Sequence, residues 1–187
     1  MEKVKLGTQP LLYPMPAVLV GSTINHVPNF MTVAWCNIVS YKPPALAIAV
    51  QKSRYTLEGI KEEGVFSVNV PSTDLVERVD YCGIYSGKKK DKSHIFEIFY
   101  GSLKNAPLIQ ECPVNMECKK INNLVIGSHV LIIGEIIETY VNRSCLINGV
   151  VDIHKIDPII YTISDKNYYQ VGKFIAKAFN IGKNYSK

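Results

Sequence analysis

The sequence predicts a mainly β fold, an antiparallel barrel that is closed or nearly closed, with a few short helices inserted between its strands. Apolar and β-branched runs of strand length recur along the chain, whereas helical periodicity is confined to short segments. The second half lacks the regular alternation of strands and helices that a parallel βαβ fold requires. Neither G-x-G-x-x-G nor G-x-x-x-x-G-K-[ST] occurs, so we expect no dinucleotide-binding domain and no P-loop.

Four strands and one helix are expected in the first part of the chain. The strands are residues 17–24, 32–40, 45–50 and 65–70. The break at Pro28 and Asn29 predicts a polar loop between the first two strands. Residues 55–63 carry apolar side chains at helical spacing, and Gly64 is expected to end that helix.

The second part begins with another helix. Thr73 heads this helix, which runs past Tyr81, and Gly83 is expected to end it. Residues 84–107 are polar and predict a loop. Four further strands and a short C-terminal helix complete the prediction, at residues 114–121, 129–141, 145–153 and 159–163 for the strands and 172–179 for the helix.

Composition indicates one globular domain over residues 1–187. Of these residues 47% are hydrophobic and 20% charged, and the net charge is +5. No apolar run approaches the roughly 20 residues that a membrane span needs, and the N-terminus leads into no signal-peptide pattern, so we expect a cytoplasmic protein that binds no membrane. The five cysteines include no C-x-x-C pair, which favours reduced thiols and no metal site.

The segment from Asn29 to Asn37 is the first candidate site. It joins amide and hydroxyl side chains to a strand that holds the single tryptophan, Trp35. Polar groups and main-chain amides there could bind the edge of a planar heteroaromatic cofactor, and the small Ala34 would allow close approach. The alternative is a hairpin loop beside a core tryptophan.

The segment from Gln51 to Thr56 is the second candidate, because it places cations and hydroxyls before a helix. Lys52 and Arg54 could neutralise a phosphate, while Ser53, Thr56 and the helix N-terminus donate hydrogen bonds to it. The alternative is that Ser53 caps the helix and both cations point into water.

The lysine-rich loop at residues 80–92 is the third candidate. Ser86 and Gly87, followed by four lysines, could supplement a phosphate site. A charge run is more often a solvated surface. A nucleic-acid interface would need more basic residues with interleaved aromatics, so we expect no nucleic-acid partner.

Taken together, these segments resemble the flavin reductase-like, FMN-binding split-barrel family, especially its flavoredoxin-like branch. Asn-Phe-Met-Thr-Val-Ala-Trp at 29–35 and Lys-Ser-Arg-Tyr-Thr at 52–56 carry the likeness. Further segments in the same order and spacing are 14–21, 43–44, 64–71, 81–83, 86–87, 91–92, 106–107 and 127–129. The resemblance covers nearly the whole chain.

The resemblance implies a homodimer of six-stranded Greek-key split barrels with noncovalent FMN near the subunit interface. It places Asn29, Met31, Thr32, Ala34 and Trp35 around the isoalloxazine. It assigns the ribityl phosphate to Lys52, Ser53, Arg54 and Thr56, with the site closed by Ser86, Gly87 and Lys92. The implied activity is hydride transfer from NAD(P)H to flavin, or electron carriage to a redox partner protein.

Several residues remain ambiguous. His129 is either a polar contact at the flavin or a hydrogen-bonded structural histidine, and Cys36 could act near the flavin. The two together could serve a ferric reductase, although two ligands are too few for a metal site. Tyr168 and Tyr169 fall near the mouth of the family's active site, but packing is their commoner role. A noncatalytic flavin-binding module is the remaining alternative.

Overall fold

The computed structural model describes residues 1–186 and has a mainly β architecture. Its helices are α1 (Thr56–Glu63), α2 (Val76–Ile84) and α3 (Ile153–Ile156). Its strands are β1 (Met15–Pro16), β2 (Val18–Ile24), β3 (Val27–Val33), β4 (Cys36–Tyr41), β5 (Pro44–Gln51), β6 (Val65–Val70), β7 (Ile98–Phe99), β8 (Leu108–Ile109), β9 (Val114–Ile126), β10 (His129–Val141), β11 (Leu146–Ile147), β12 (Val150–Val151), β13 (Ile160–Thr162) and β14 (Asn167–Tyr169). Short 3-10 turns lie at Thr73–Leu75, Arg143–Cys145 and Ile181–Asn184.

Seven antiparallel strands form the main sheet, in the order β3-β2-β6-β9-β10-β5-β4. The edge strands β3 and β4 follow one another in the chain through Ala34 and Trp35, so the open side of the curled sheet lies at this connection. Cys36 N donates to Ala34 O at 3.1 Å and Ala49 N to Trp35 O at 2.9 Å, which fixes the crossing from one edge to the other. The expected single strand at 32–40 is therefore wrong, because these residues belong to opposite edges of the barrel.

Two apolar clusters lie on the two faces of β2 and β3. Alternate side chains such as Val20 and Met31 enter the barrel interior, while Leu19 and Phe30 pack under α2 with Val79. Helix α2 packs over the β2–β3 hairpin, and this packing contributes to the burial of β2 on both faces. This packing brings the C-terminal end of α2 beside the end of β3, where the candidate site lies.

The first hairpin turns earlier than the sequence suggested. Asn25 and His26 have φ values of 50° and 65° and form the two-residue turn between β2 and β3. Pro28 is paired within β3, a position it tolerates because β3 is an edge strand. The polar loop expected at Pro28 and Asn29 is therefore wrong, and Asn29 lies on a strand.

The other expectations for the N-terminal half are confirmed with small shifts. Strands β2, β5 and β6 and helix α1 match the predicted ranges. Gly64 ends α1 in the left-handed region at φ 68°, and its N–H donates to Ile60 O. The helix expected from Thr73 begins as a 3-10 turn and continues as α2.

The C-terminal half departs further from the prediction. The strand expected at 145–153 is instead a 3-10 turn, the β11–β12 hairpin around Asn148 and Gly149, and α3, whose first amides Asp152 caps. The helix expected at 172–179 is wrong, because Phe174 and Phe179 are exposed and nothing in the described chain covers an apolar helix face. The loop at 84–107 contains β7. No helix within residues 1–186 is both long and apolar enough to cross a bilayer.

Candidate functional site

A cleft of about 550 Å³ lies between the end of β3, the C-terminal end of α2 and the start of β10. This volume falls within the range of small-molecule and cofactor sites. Of the candidate residues considered in the sequence, seven line the cleft: Met31, Thr32, Ala34, Trp35, Arg54, His129 and Tyr168. The structure thus brings the first and second candidate segments into one site.

The aromatic rings of Trp35 and His129 form part of the cleft lining. The Trp35 and His129 rings stack with centroids 4.6 Å apart and planes 24° from parallel. Ser128 Oγ lies 2.8 Å from His129 Nδ1, so the imidazole is held on one side by a hydrogen bond and on the other by the indole. Trp35 is 40% exposed, which leaves indole surface available to a planar ligand.

Arg54 contributes a cation to the cleft lining. Its Nη1 donates to Gly83 O at 2.9 Å, which ties the loop before α1 to the end of α2. Ser53 does not cap α1, because the N-cap position is Tyr55 and has no side-chain hydrogen bond. Lys52 and Ser53, which precede Arg54 in the chain, are exposed and do not line the cleft itself.

Asn29 and Thr56 are buried and do not line the cleft, and the half-buried Gly87 packs against Asn29. Asn29 Nδ2 donates to Thr56 Oγ1 at 2.7 Å, which joins β3 to the start of α1. Asn29 Oδ1 is buried and has no hydrogen-bond partner within the described chain. A Cβ added to Gly87 would lie 2.0 Å from that oxygen, so only glycine permits this approach of the lysine-rich loop.

The remaining residues of the lysine-rich loop have different environments. Ser86 is half-buried, and its Oγ accepts from Lys88 N at 3.3 Å. Lys92 is only 3% exposed, and its Nζ donates to Phe30 O at 2.8 Å and to Cys82 O at 3.0 Å. Lys92 does not line the cleft.

Cys36 and His129 are not brought together. Cys36 pairs with Ile48 of β5 and His129 with Gln51, three residues further along that strand, so their side chains lie on opposite faces of the sheet. Burial raises the pKa of the Cys36 thiol to about 12. Within residues 1–186 no group of three or more potential metal ligands occurs. This geometry does not support the Cys36–His129 pairing as an iron site.

The β13–β14 hairpin and α2 supply further cleft residues, of which Tyr161 and Lys166 were not expected from the sequence. Tyr161, Lys166 and Tyr168 line the cleft together with Asp80. Tyr168 OH donates to Asp80 Oδ1 at 3.0 Å. Burial of the phenol raises the pKa of Tyr168, and this hydrogen bond raises it further. Tyr168 thus lies at the cleft, whereas Tyr169 OH turns to Asp165 and does not line it. Tyr168 and Asp80 are 88 positions apart, and no local motif predicts a contact over that distance.

A second groove of about 770 Å³ adjoins the cleft and shares Ala34, Trp35 and Ala49 with it. It is lined mainly by apolar side chains of the N-terminal segment and of β4, including Leu11, Leu12 and Val39. Cys36 lies in this groove and not in the cleft. The two depressions therefore meet at the β3–β4 connection.

The fold is that of a split-barrel protein whose cleft is lined by aromatic side chains and by the cation of Arg54. The chain belongs to the family described as the flavin reductase like domain, which matches residues 11–162. This membership confirms the resemblance inferred from the sequence. It supports a flavin-binding redox function.

Three relatives illustrate the likeness. The fold superposes on flavoredoxin from Methanosarcina acetivorans with TM-score 0.95 and 43% identity, covering 98% of each chain. It superposes on flavoredoxin of Desulfovibrio vulgaris with TM-score 0.91 and 40% identity, covering 97% of this chain and 100% of the other. An uncharacterized protein of Archaeoglobus fulgidus is 37% identical over 128 residues, which is 67% of this chain and 72% of that protein.

Proposed function

We propose that this chain binds FMN noncovalently in the cleft and acts as an FMN-dependent oxidoreductase of the flavoredoxin type. The observation that carries the proposal is the combination, in one cleft, of the Trp35–His129 stack with the Arg54 cation. An aromatic wall suits the flat isoalloxazine, and a guanidinium suits the terminal phosphate. Riboflavin and FMN differ only in that phosphate, so Arg54 selects the phosphorylated form.

The ring end of the site would be formed by Met31, Thr32, Ala34 and Trp35, with His129 stacked on the indole. Met31 is buried at the cleft wall, and Ala34 leaves space for close approach at the β3–β4 connection. Main-chain groups of this connection would bind the polar edge of the ring. His129 then has a packing and orienting role.

The phosphate end would be formed by Lys52, Ser53 and Arg54. The exposure of Lys52 and Ser53 beside the cleft leaves their ammonium and hydroxyl groups free to reach an anion. Thr56 and Gly87 position Asn29, whose buried Oδ1 lacks a donor in the described chain. The indole of Trp35 and the guanidinium of Arg54 suit the ring and the phosphate of FMN, so the residues that line the cleft fit the cofactor. Ser86 would close the site from the loop that follows α2.

When bound, FMN supplies the hydride- and electron-transfer chemistry, and the chain supplies orientation, charge and access. Two hydrogen bonds of ionisable side chains at the cleft hold its shape. Arg54 binds Gly83 O, and Asp80 accepts from Tyr168. Hydride transfer needs no side-chain acid or base, which agrees with a site built for positioning.

Two electron sources are compatible with this site. The similarity to two flavoredoxins, at 43% and 40% identity, favours a carrier that takes electrons from a redox partner protein. Membership of the flavin reductase like family favours NAD(P)H as a transient donor. We propose the carrier role first and the NAD(P)H-dependent flavin reductase as the second candidate.

We further propose that two copies of the chain form a homodimer across the second groove. Large apolar side chains are exposed along β4 and at the tip of the β9–β10 hairpin, namely Ile38, Val39, Tyr41, Leu124, Val125 and Ile126. We expect these side chains to contribute to the interface, because large exposed apolar patches mark protein interaction sites. A second copy placed here would also cover the exposed indole of Trp35 at the cleft.

The test is the absorbance spectrum of the purified protein, with any flavin released by heat and identified. We expect flavin bands near ~450 nm and released FMN. Anaerobic NADH and NADPH are then added in turn. Bleaching by either establishes the reductase, and bands that persist until a reduced redox protein is added establish the carrier. A colourless protein that also fails to bind added FMN rejects the proposed function.

A further inference from the structure

The C-terminal arm, residues 171–186, exposes an unusual number of large apolar side chains. Phe174, Ile175 and Phe179 are 73%, 93% and 99% exposed, and Ile181 and Tyr185 are exposed as well. Single apolar side chains are common on protein surfaces. A run of large ones in one short segment indicates a surface that packs against something else.

The arm leaves the body of its own chain after Gln170. The side chain of Gln170 is still held there, because its Nε2 donates to Thr73 Oγ1 at 3.2 Å. The main-chain hydrogen bonds of the arm are local, as in the bond from Ile181 N to Lys177 O at 3.3 Å. In the part of the chain that the structure describes, no arm residue lines the cleft or the second groove. The large apolar side chains of the arm therefore remain in solvent within a single copy.

The second groove has the chemistry to receive these side chains. It measures about 770 Å³ and includes the exposed apolar side chains of Leu11, Leu12 and Val39. It meets the cleft at Trp35. Aromatic side chains bury about 150–250 Å² each, so the three in the arm could supply more than half of the roughly 800 Å² per partner that a stable interface buries.

The charges of the arm and the groove face are also complementary. Residues 171–187 contain four lysines and no acidic residue. Glu135 lies on the same face of the sheet as the groove residues Ala47 and Leu131, because its pairing with Ala45 continues the register of β10 with β5. Glu135 is half-buried, and none of the ion pairs within residues 1–186 includes it. An arm lysine that approached the groove would be attracted to this carboxylate.

The position of the arm favours the groove of a second copy. Met15 and Pro16 of β1 line the groove, whereas the arm follows β14, at the opposite edge of the three-stranded sheet β1-β13-β14. A chain of this length spans up to about 50 Å when extended, which is enough to reach a neighbouring copy.

The backbone of the arm favours a protein surface over a lipid surface. Residues 171–177 are not helical. The superposition on flavoredoxin from Methanosarcina acetivorans covers 98% of this chain and so extends into the arm. An amphipathic segment that lies on a membrane would be helical.

We propose that the C-terminal arm of one copy packs into the second groove of another copy and covers Trp35 there, so that each site is completed by the arm of the partner. The inference rests on the homodimer of the proposed function and names the segment that fills its groove. It does not depend on which ligand the cleft binds. The apolar side chains of the arm contact the groove lining, and the arm lysines face Glu135 and solvent.

The first test links the arm of one copy to the groove of another. Two copies with different affinity tags are co-expressed, one with Ile175→Cys and the other with Val39→Cys, and are oxidised with copper phenanthroline. We expect a disulfide between positions 175 and 39 of the two tagged chains, identified by peptide mass mapping. Its yield should exceed that of the control pair, Val4→Cys with Val39→Cys, at least about tenfold, because a disulfide forms only between neighbouring Cβ atoms. Val4 is the control because it is an exposed apolar residue at the other terminus.

The second test uses Trp35, which is the single tryptophan of the chain. Acrylamide quenching of its fluorescence is measured for flavin-free wild type, Ile175→Glu and the control Val4→Glu, and light scattering gives the mass of each sample. We expect the quenching constant of Ile175→Glu to rise at least about twofold and its emission to shift to the red, because the indole loses its apolar cover. Val4→Glu should match the wild type. If Ile175→Glu aggregates, Ile175→Ser carries the same comparison.

Every other outcome overturns the inference. A cross-link yield equal to that of the control pair places the arm elsewhere, and a link that forms only within a chain carrying both cysteines places it in its own groove. A dimeric wild type whose Ile175→Glu variant shields Trp35 as before refutes the inference alone, whereas a monomeric wild type also refutes the homodimer. If phosphatidylglycerol vesicles co-sediment with the wild type but not with Ile175→Glu, and the quenching of Trp35 is unchanged, the arm binds lipid instead. All these readouts use flavin-free protein, so a failure to bind FMN is distinguished from a failure of this inference.

Discussion

Replacing Gly87 with alanine tests the closest backbone approach at the site. The added Cβ would lie 2.0 Å from Asn29 Oδ1 and 2.8 Å from Tyr55 Cδ1, so the Asn29 side chain must move. Movement breaks its 2.7 Å bond to Thr56 Oγ1. A lost buried hydrogen bond costs about 1–3 kcal/mol and overpacking about 1–3 kcal/mol. The lower entropy of the unfolded alanine chain returns only about 0.4–1 kcal/mol.

We therefore expect a net destabilisation of about 2–4 kcal/mol. Each kcal/mol should lower the Tm by about 2–4 °C. The assay is urea unfolding of flavin-free protein, followed by far-ultraviolet circular dichroism and by the fluorescence of the single tryptophan. Gly172→Ala is the control, because its Cβ would meet nothing within 4 Å. In an Asn29→Ala background the cost should fall by at least about 1 kcal/mol. A neutral Gly87→Ala variant, or the same cost in both backgrounds, would refute the reasoning.

Three further predictions concern the phosphate end, the dimer and alkaline pH. Ser53→Ala combined with Arg54→Ala should weaken FMN binding at least about tenfold more than riboflavin binding, measured by fluorescence titration, and equal losses would contradict the phosphate assignment. Ile38→Glu should halve the mass measured by light scattering, whereas Val150→Glu, at another exposed apolar position, should not, and an unchanged mass would place the interface elsewhere. Burial raises the pKa of Cys82 from 9.0 to about 11, so between these pH values the unfolded chain loses a proton that the folded chain keeps. The free energy of unfolding should therefore fall by up to about 1.4 kcal/mol per pH unit more in the wild type than in Cys82→Ala, and parallel urea-unfolding profiles would contradict this.

The sequence predicted those parts of the fold that local chemistry decides. The β-branched run of β2 and the glycine that ends α1 carry their signals within a few residues. Pro28 misled the prediction because its usual meaning, a chain break, does not hold on an edge strand. The Asn148-Gly149 turn was present in the sequence as a hairpin signal and was missed because the flanking apolar run resembles one strand.

The candidate site was only partly predictable, since its walls come from distant segments. Trp35 and Arg54 stood out by residue type, and both line the cleft. The contact of Tyr168 with Asp80 spans 88 positions and has no local pattern. Lys92 cannot be separated from Lys90 by composition or spacing, because burial depends on where the loop crosses β3 and α2.

We expect the side chains at the cleft to position the ligand and the bound cofactor to supply the redox chemistry. At the cleft, Arg54 bonds a main-chain carbonyl and the Asp80 carboxylate accepts from Tyr168, while His129 is held between Ser128 and Trp35. These hydrogen bonds and the ring stack fix the spacing and polarity of the walls. A redox cofactor with its own chemistry needs such a preorganised site. Substitutions that loosen the walls should therefore weaken flavin binding before they alter any catalytic proton transfer.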